Sequence, residues 1–394
     1  MKKHIIFLEN QYLNKRNFKR FMLNFFLKKG WVVEYWNCQN LLYKKKIVFD
    51  KFYIPNKSKF KVYNFDNFFT IFQKILKRKY VFYIDYSNQN FIFNFFRLLF
   101  LYGKNKRILL DISCYPNHKL SYLNLYNIFK SINFFLFIQK SLKFTFLYFK
   151  KISIDKFFYF KPLIHFTAGL KSRLDSENLY GKGLQIKAHV EDYNTYLKPN
   201  KNLEIFNNKI VFLDQDFPVP FELDIRKGKK FINRDNYWNS INNFLDFLEK
   251  KLKKKAVIAA HPRAMKSRNI SKKRIIFDHT NELIKHSAIC LGHTSNAIQF
   301  CILHQKPLLI IATNDFINNK DVAVFQDMHA LAIELNKNII NIDNFKFNDL
   351  KKELLVNVKE YKSYINKYIK EENSQKINSW VNLEKVLSNY ITKG

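Results

Sequence analysis

Short apolar runs, each followed by a polar turn and a longer stretch with helical spacing, recur along most of the chain. Residues 210–213 and 256–260 are two such runs, bounded by polar positions as buried strands are. When strands and helices alternate in this way, consecutive strands pair in parallel through right-handed crossovers. The pattern therefore predicts an α/β fold with helices covering the faces of the sheets.

The alternation occurs in two blocks, and 394 residues are enough for two cores. Residues 1–165 are predicted to form a first Rossmann-like domain and residues 209–345 a second. Residues 166–208 hold three of the eight glycines and are interpreted as the interdomain connection, and residues 346–394 as charged C-terminal helices. The predicted strands are residues 4–8, 31–35, 80–84, 107–112, 210–213, 256–260, 275–277, 288–291 and 307–311. The main predicted helices are residues 15–29, 91–102, 235–253, 280–285 and 295–304.

Basic residues strongly outnumber acidic ones, because 68 Lys and Arg against 32 Asp and Glu give a formal charge of +36. Such a charge favours anionic partners: a membrane surface, a phosphorylated substrate or nucleic acid. Nucleic acid is not favoured, since the chain has no zinc-finger spacing, aromatic RNA-binding motif or recognition-helix pattern. Part of the Lys excess also fits the coding bias of an AT-rich genome, and that alternative stays open.

The chain has no apolar stretch of the ~18 uncharged residues that a spanning helix needs. The nearest candidate, residues 132–149, is interrupted by Gln139, Lys140 and Lys143, so that it either lies flat on a bilayer or forms a buried helix. The four cysteines are scattered without metal-site spacing, as in a protein of the reducing cytosol. These features predict a cytoplasmic protein, peripheral on the inner face of the membrane.

The sequence AVIAAHPRA, residues 256–264, has a strand that delivers a histidine to its carboxyl end. Open α/β sheets bind ligands at that edge. Pro262 ends the strand, and Arg263 adds a fork-shaped cation suited to phosphate. His261 is therefore a candidate for contact with a phosphate, although a single histidine after a strand is more often structural.

In the sequence AICLGHTSNAIQF, the predicted strand at residues 288–291 is followed by a polar turn and then by a predicted helix. The amide groups and dipole of a helix N-terminus attract anions, and the hydroxyls of Thr294 and Ser295 add donors. Thr294, Ser295 and Asn296 are therefore predicted to bind phosphate. Ordinary capping of the helix by either hydroxyl is the structural alternative, and it is compatible with phosphate binding.

Acidic residues also follow predicted strands. Asp214 and Asp216 come directly after residues 210–213, and a carboxylate there could act as base or nucleophile. Asp216 fits a solvated turn better. In the first domain, Asp85 and Asp111 each end a predicted strand and are reserve candidates for a general base. Both could equally cap a helix.

The motifs also occur in a characteristic order. His189, Asp192, Tyr193 and Tyr196 in HVEDYNTYL precede VFLDQ, the strand with HPR, and the TSNAI helix with KPLLII. Across residues 187–313 this order resembles bacterial surface-carbohydrate glycosyltransferases of the GT-B type, similar to CMP-sugar transferases for sialic acid and Kdo. The resemblance implies two Rossmann-like domains facing a central cleft. It further implies that His261 contacts or protonates the departing phosphate, Thr294 and Ser295 bind it, and Asp214 is the nucleophile.

The expected reaction is transfer of a nonulosonic or Kdo-type sugar from a CMP-sugar to a surface glycan or lipid-linked acceptor. The nucleotide sugar is a substrate, no other cofactor is expected, and no metal is required if His261, Arg263 and helix amides neutralise the phosphate. One alternative is a CDP-polyol phosphotransferase of similar fold. Another is a non-catalytic basic protein that binds membranes or nucleic acid.

Overall fold

The computed structural model comprises two compact units. The first contains Met1–Ser113, Tyr126–His189 and Glu371–Gly394, and the second Cys114–Leu125 and Val190–Lys370. The structure describes residues 1–42, 58–86, 91–112, 115–116, 162–180, 184–198, 206–215, 217, 232–261, 273–319 and 323–393. The segment 132–149, Asp216, Pro262 and Arg263 lie outside them. In the described part, no helix is long and apolar enough to cross a membrane.

The first unit contains a seven-stranded parallel sheet with the order β3-β2-β1-β4-β5-β6-β7. Strand β1 (His4–Glu9) lies between β2 and β4, is buried from Ile5 to Glu9 and pairs on both sides, with Ile5 opposite both Val33 and Phe82. The strands are β1 (His4–Glu9), β2 (Val32–Asn37), β3 (Phe60–Asn64), β4 (Phe82–Asp85), β5 (Lys106–Asp111), β6 (Ile164–Ala168) and β7 (Leu184–Ala188). The helices among them are α1 (Lys15–Arg20), α2 (Leu23–Lys28), α3 (Gln39–Leu42), α4 (Phe68–Leu76), α5 (Phe91–Tyr102) and α6 (Gly169–Tyr180).

The second unit contains a six-stranded parallel sheet with the order β10-β9-β8-β11-β12-β13. Its strands are β8 (Ile210–Leu213), β9 (Ala256–Ala259), β10 (Arg274–Ile276), β11 (Ile289–Gly292), β12 (Leu308–Ala312) and β13 (Ile339–Asn341). The helices are α7 (Glu191–Tyr196), α8 (Arg234–Leu252), α9 (Thr280–His286), α10 (Ile298–Leu303), α11 (Asn314–Ile317), α12 (Ala323–Leu335), α13 (Phe347–Glu353) and α14 (Val358–Tyr364). A π-helical turn, Ile365–Ile369, follows α14.

The last helix, α15 (Ser379–Lys393), packs into the core of the first unit. The Trp380 ring lies 5.8 Å from that of Phe7, which is fully buried on β1. The Trp31 indole donates a hydrogen bond of 3.0 Å to the Glu384 carboxylate. Residues 346–394, predicted as one group of C-terminal helices, are thus divided: the part up to Lys370 belongs to the second unit and the remainder to the first.

The segment 166–208, interpreted above as a connection, contributes regular structure to both units. Strands β6 and β7 extend the first sheet, and β6 is buried at every position. Gly169 has a φ of +73° directly after β6, so this glycine makes a tight strand-to-helix turn and does not mark a linker. The segment 15–29, predicted as one helix, forms two helices that are separated at Met22, whose φ is +48°.

Candidate functional site

The strand order of the second sheet reverses between β8 and β11, so the connections leave these neighbours in opposite directions. A parallel sheet opens a crevice at the carboxyl ends of the two strands at such a point, and ligands bind there. The residues that follow β8, β9 and β11 are those chosen from the sequence: Asp214, His261, Thr294, Ser295 and Asn296. This edge of the second sheet is therefore a candidate ligand-binding site.

Asp214 connects the ends of β8 and β9. Its side chain is buried, with 4% of the residue exposed, and its backbone N–H donates to the Ala259 carbonyl at 3.0 Å. Its Oδ2 in turn accepts a hydrogen bond of 3.4 Å from the backbone N–H of His261. His261 itself is half-buried. The carboxylate thereby fixes the backbone that carries the candidate histidine.

A residue that sequence reasoning missed, Gln215, connects the two strands at the switch point. Its Oε1 accepts a hydrogen bond of 2.9 Å from the backbone N–H of Thr294, and its Nε2 donates one of 3.1 Å to Thr294 Oγ1. This reciprocal pair holds the turn after β11 against the end of β8. The place of Gln215 directly after Asp214 at a strand end is a signal for the residue itself, but not for its partner, which lies 79 residues away.

The turn after β11 differs from the predicted helix start. The helix begins at Ile298, and Ser295 precedes it in a turn where its Oγ accepts a 3.2 Å hydrogen bond from the Ala297 N–H. This is a contact within the turn. The N-cap position of the helix is Ala297, which has no side-chain capping hydrogen bond, so neither Thr294 nor Ser295 caps the helix. Thr294 and Ser295 are half-buried, and Asn296 is exposed.

His293, the first residue of this turn, is a core residue. It is completely buried, its Nδ1 lies 2.6 Å from the Ile311 carbonyl oxygen, and its Nε2 lies 2.8 Å from the Tyr237 hydroxyl. Burial lowers its pKa to about 4, although the bond to Ile311 acts in the opposite direction. The ring is therefore neutral at pH 7, with Nδ1–H donating to Ile311 and Nε2 accepting from Tyr237. It anchors the turn to β12 and α8.

The two reserve carboxylates lie on the first sheet. The Asp85 Oδ2 is 2.8 Å from Arg97 Nε and 3.0 Å from an Arg107 guanidinium nitrogen, and the Asp85 side chain is fully buried. Asp111 is half-buried at the end of β5, where its backbone carbonyl accepts a hydrogen bond from the Ser172 hydroxyl. Asp85 is thus held in two ion pairs that stabilise this unit's core.

No group of three or more His, Cys, Asp or Glu side chains with metal-binding geometry occurs in the part of the chain that the structure describes.

No family model matches the sequence, and neither does any curated protein. Solved structures match it over its whole length. The wall teichoic acid polymerase TagF is 10% identical, with a TM-score of 0.53 over 99% of this chain and 90% of that one. A putative UDP-N-acetylglucosamine 2-epimerase from Listeria monocytogenes is 8% identical, with a TM-score of 0.50 over 100% and 98%. Together with the two parallel sheets, these likenesses show the GT-B fold that the motif order predicted.

Proposed function

We propose that the protein is a glycosyltransferase that binds the phosphate of a nucleotide sugar at the carboxyl edge of the second sheet. The observation that carries the proposal is the cross-linking of three strand ends, by Asp214 with His261 and by Gln215 with Thr294. Hydrogen bonds that hold polar side chains at a switch point pre-organise a binding site. The GT-B fold agrees with this activity, and the sequence motifs suggest it independently.

In this proposal the His261 imidazole contacts or protonates the departing phosphate, while Thr294, Ser295 and Asn296 bind it and Arg263 supplies a cation. Asp214 has two candidate roles. Its burial and its bond to the His261 N–H support a positioning role, whereas the family resemblance suggests a nucleophile. The Asp214→Asn variant distinguishes the two roles. If Asp214 is a nucleophile, intact-mass spectrometry of the wild-type enzyme with donor shows a sugar-sized adduct that the variant lacks. Partial turnover of the variant, with no adduct on either protein, identifies a positioning role.

The donor proposed from the motif order is a CMP-linked nonulosonic or Kdo-type sugar, and the acceptor a surface glycan or lipid-linked glycan. The formal charge of +36 supports docking on the anionic inner face of the membrane, where a lipid-linked acceptor would be found. If so, the protein should sediment with phosphatidylglycerol vesicles at low salt and be released as salt screens the charges. Absence of sedimentation at low salt would contradict the membrane assignment and leave the transferase proposal intact.

A second candidate is transfer of a polyol phosphate from a CDP-polyol. The likeness to the wall teichoic acid polymerase favours it, since that match has the higher TM-score of the two reported above. A His261 that protonates a phosphate leaving group serves this reaction equally well. The two functions differ in what reaches the acceptor, a sugar or a phosphate ester, so product mass separates them.

The test is a thermal-shift screen of CMP, CDP, UDP and GDP, followed by donor-hydrolysis assays with the nucleotide that stabilises the protein. We expect one nucleotide to raise the melting temperature and His261→Ala to lower turnover by ~10²-fold or more, as removal of one acid or electrostatic group does. His329→Ala, an exposed histidine on α12, is the matched control. Normal turnover in a folded His261→Ala protein would contradict the site assignment.

A further inference from the structure

A polar cavity of about 550 Å³ opens at the carboxyl edge of the second sheet, beyond the candidate phosphate site. One wall is a face of α8, and the other is formed by the residues that follow β12 and β13. The size is within the range of ~300–1,000 Å³ that is usual for small-molecule sites. The lining residues are Asn236, Tyr237, Asn239, Ser240, Asn243, Thr313, Asn314, Asp315, Ile342 and Asp343.

The α8 wall is unusual for this chain. Asn236, Asn239, Ser240 and Asn243 are spaced i, i+3, i+4 and i+7, so they form a single stripe along the helix. Lys and Arg account for 68 of 394 residues, yet this stripe holds three carboxamides and a hydroxyl and no charge. Asn is also a poor helix former, so solvation alone would be served better by Lys. Carboxamides donate and accept hydrogen bonds at the same time, as a ligand with hydroxyl groups requires.

The opposite wall contains a buried hydroxyl without a partner. Thr313 is 1% exposed, and its Oγ1 has no hydrogen-bond partner among the described residues. It occupies the N-cap position of α11, but its side chain caps nothing there. An unpaired buried hydroxyl destabilises the folded state, because it has given up its hydrogen bonds to water. Because Thr313 lines the cavity, a ligand in the cavity can supply the missing partner.

The charge of the cavity selects among ligands. The two carboxylates, of Asp315 and Asp343, each accept one backbone hydrogen bond, from Asn233 at 3.0 Å and Asn314 at 2.7 Å. Among the residues that the structure describes, no Lys or Arg lines the cavity. The two carboxylates repel phosphate and carboxylate groups and accept hydrogen bonds from hydroxyls. The cavity is therefore unlike the predicted phosphate site, although both lie on the same sheet edge.

We propose that this cavity binds an uncharged sugar ring through its hydroxyl groups. Asn236, Asn239 and Asn243 contact the hydroxyls from the helix, and Thr313 contacts one from the strand end. The site is separate from the one proposed for the donor phosphate, and free sugars can test it without any nucleotide. It gives the second unit a contact to a neutral glycan unit that the donor site does not provide.

The experiment is saturation-transfer-difference NMR on the full chain with glucose, galactose and N-acetylglucosamine, each at millimolar concentration. Matched probes are galacturonate and glucose 1-phosphate, which carry a negative charge, and the nucleosides cytidine and uridine. The variants are Thr313→Val, which keeps the side-chain shape, and the double variant Asn236→Ala with Asn243→Ala. Asn318→Ala, an exposed Asn at the C-cap of α11 outside the cavity, is the control.

We expect a signal from at least one neutral sugar and weaker or no signal from the two anions. Thr313→Val should weaken sugar binding by about 2- to 10-fold, the worth of one hydrogen bond, without lowering the melting temperature. The double Asn variant should weaken it further, and the control should not change it. The proposal is overturned if no neutral sugar binds, if the variants leave sugar binding unchanged, or if an anion or a nucleoside alone gives the variant-sensitive signal. None of these results depends on whether His261 acts in transfer.

Discussion

The two sheets share the reversal of strand order at their centre, but the residues at the two switch points differ. In the first sheet, Asp85 at the end of β4 is buried between the guanidinium groups of Arg97 and Arg107. In the second sheet, Gln215 after β8 and Thr294 after β11 form a neutral pair of hydrogen bonds, with both side chains half-buried. The first arrangement places charge in the core, whereas the second places uncharged donors and acceptors at the surface.

This difference has an energetic consequence. Removing one member of a buried ion pair leaves its partners charged and desolvated, which is costly, whereas a neutral pair near solvent can be replaced by water. The first switch point is therefore expected to matter mainly for stability. The second can exchange a protein partner for a ligand at a lower cost than the first, about 1 kcal/mol for each hydrogen bond.

The largest expected effect is that of Asp85→Ala. It leaves two buried guanidinium groups without their carboxylate, so the free energy of unfolding should fall by about 3–5 kcal/mol in chemical denaturation. Asp175→Ala, which breaks the partly exposed i, i+4 pair with Lys171, is the control and should cost about 0.5 kcal/mol or less. Near-normal stability of Asp85→Ala together with loss of turnover would identify Asp85 as the general base. The first switch point would then serve catalysis and not stability.

The second prediction is that acid destabilises the two units in different pH windows. Burial lowers the His293 pKa to about 4. The contribution of its neutral ring to the free energy of unfolding is therefore complete above pH 6.5 and is lost as the pH falls towards 4. Burial alone would raise the Glu34 pKa, but hydrogen bonds from His4, Arg78 and Trp36 lower it to about 2. The contribution of Glu34 is therefore present above pH 4.5 and is lost between 4.5 and 2.

A pKa shift of this size changes the free energy of unfolding by about 3 kcal/mol. Hydrogen exchange read by mass spectrometry should show the second unit opening between pH 6.5 and 4, and the first unit only at lower pH. His304, whose pKa burial also lowers to about 4, acts in the same window as His293. An NMR titration in which the His293 ring titrated near pH 6.5 would contradict the buried neutral state.

The sequence predicted the second sheet better than the first. Residues 210–213 are β8 as observed, and 256–260, 288–291 and 307–311 agree with their strands to within one residue at each end. These strands are almost uniformly apolar and are separated by clear helices. In the first sheet, β3 and β7 were missed because they alternate with Lys or Gln, and β6 because it contains His165 and Thr167, which are buried polar residues. In the second sheet, β13 was missed, and it is only three residues long.

At the candidate site, the backbone positions could be predicted and the contacts could not. Strand ends place Asp214, His261 and Thr294 on one edge whatever their side chains do. The Gln215–Thr294 pair joins positions 79 residues apart, and nothing local in either segment encodes it. His293 likewise looked like a loop residue, and only the packing of Tyr237 and Ile311 around it makes it a core histidine.

The third prediction tests whether the neutral pair at the second switch point is a single unit. Gln215→Ala removes both of its hydrogen bonds to Thr294 and should lower the free energy of unfolding by about 2 kcal/mol. Thr294→Val removes only the hydrogen bond to Oγ1 and should lower the free energy of unfolding by about 1 kcal/mol. In a double-mutant cycle, the coupling energy between the two positions should be about 1 kcal/mol. Both variants should also weaken nucleotide binding, because the turn that carries Ser295 loses its anchor. Additive effects would show that the pair does not act as a unit.

The smallest expected effect is that of Ser295→Ala, and it decides whether this hydroxyl serves the fold or the ligand. Its Oγ accepts a hydrogen bond from the Ala297 N–H in the turn before α10, and loss of such a hydrogen bond costs about 0.5–1 kcal/mol. A hydroxyl that accepts this bond uses a lone pair, which leaves its own proton to donate to a phosphate oxygen. Ser295→Ala should therefore lower both the melting temperature and the nucleotide affinity, the latter by about 5-fold measured by calorimetry. Ser295→Thr keeps the hydroxyl and should restore the affinity. An unchanged affinity in Ser295→Ala, with only the melting temperature reduced, would limit Ser295 to stabilising the turn and leave Thr294 as the hydroxyl donor at this edge.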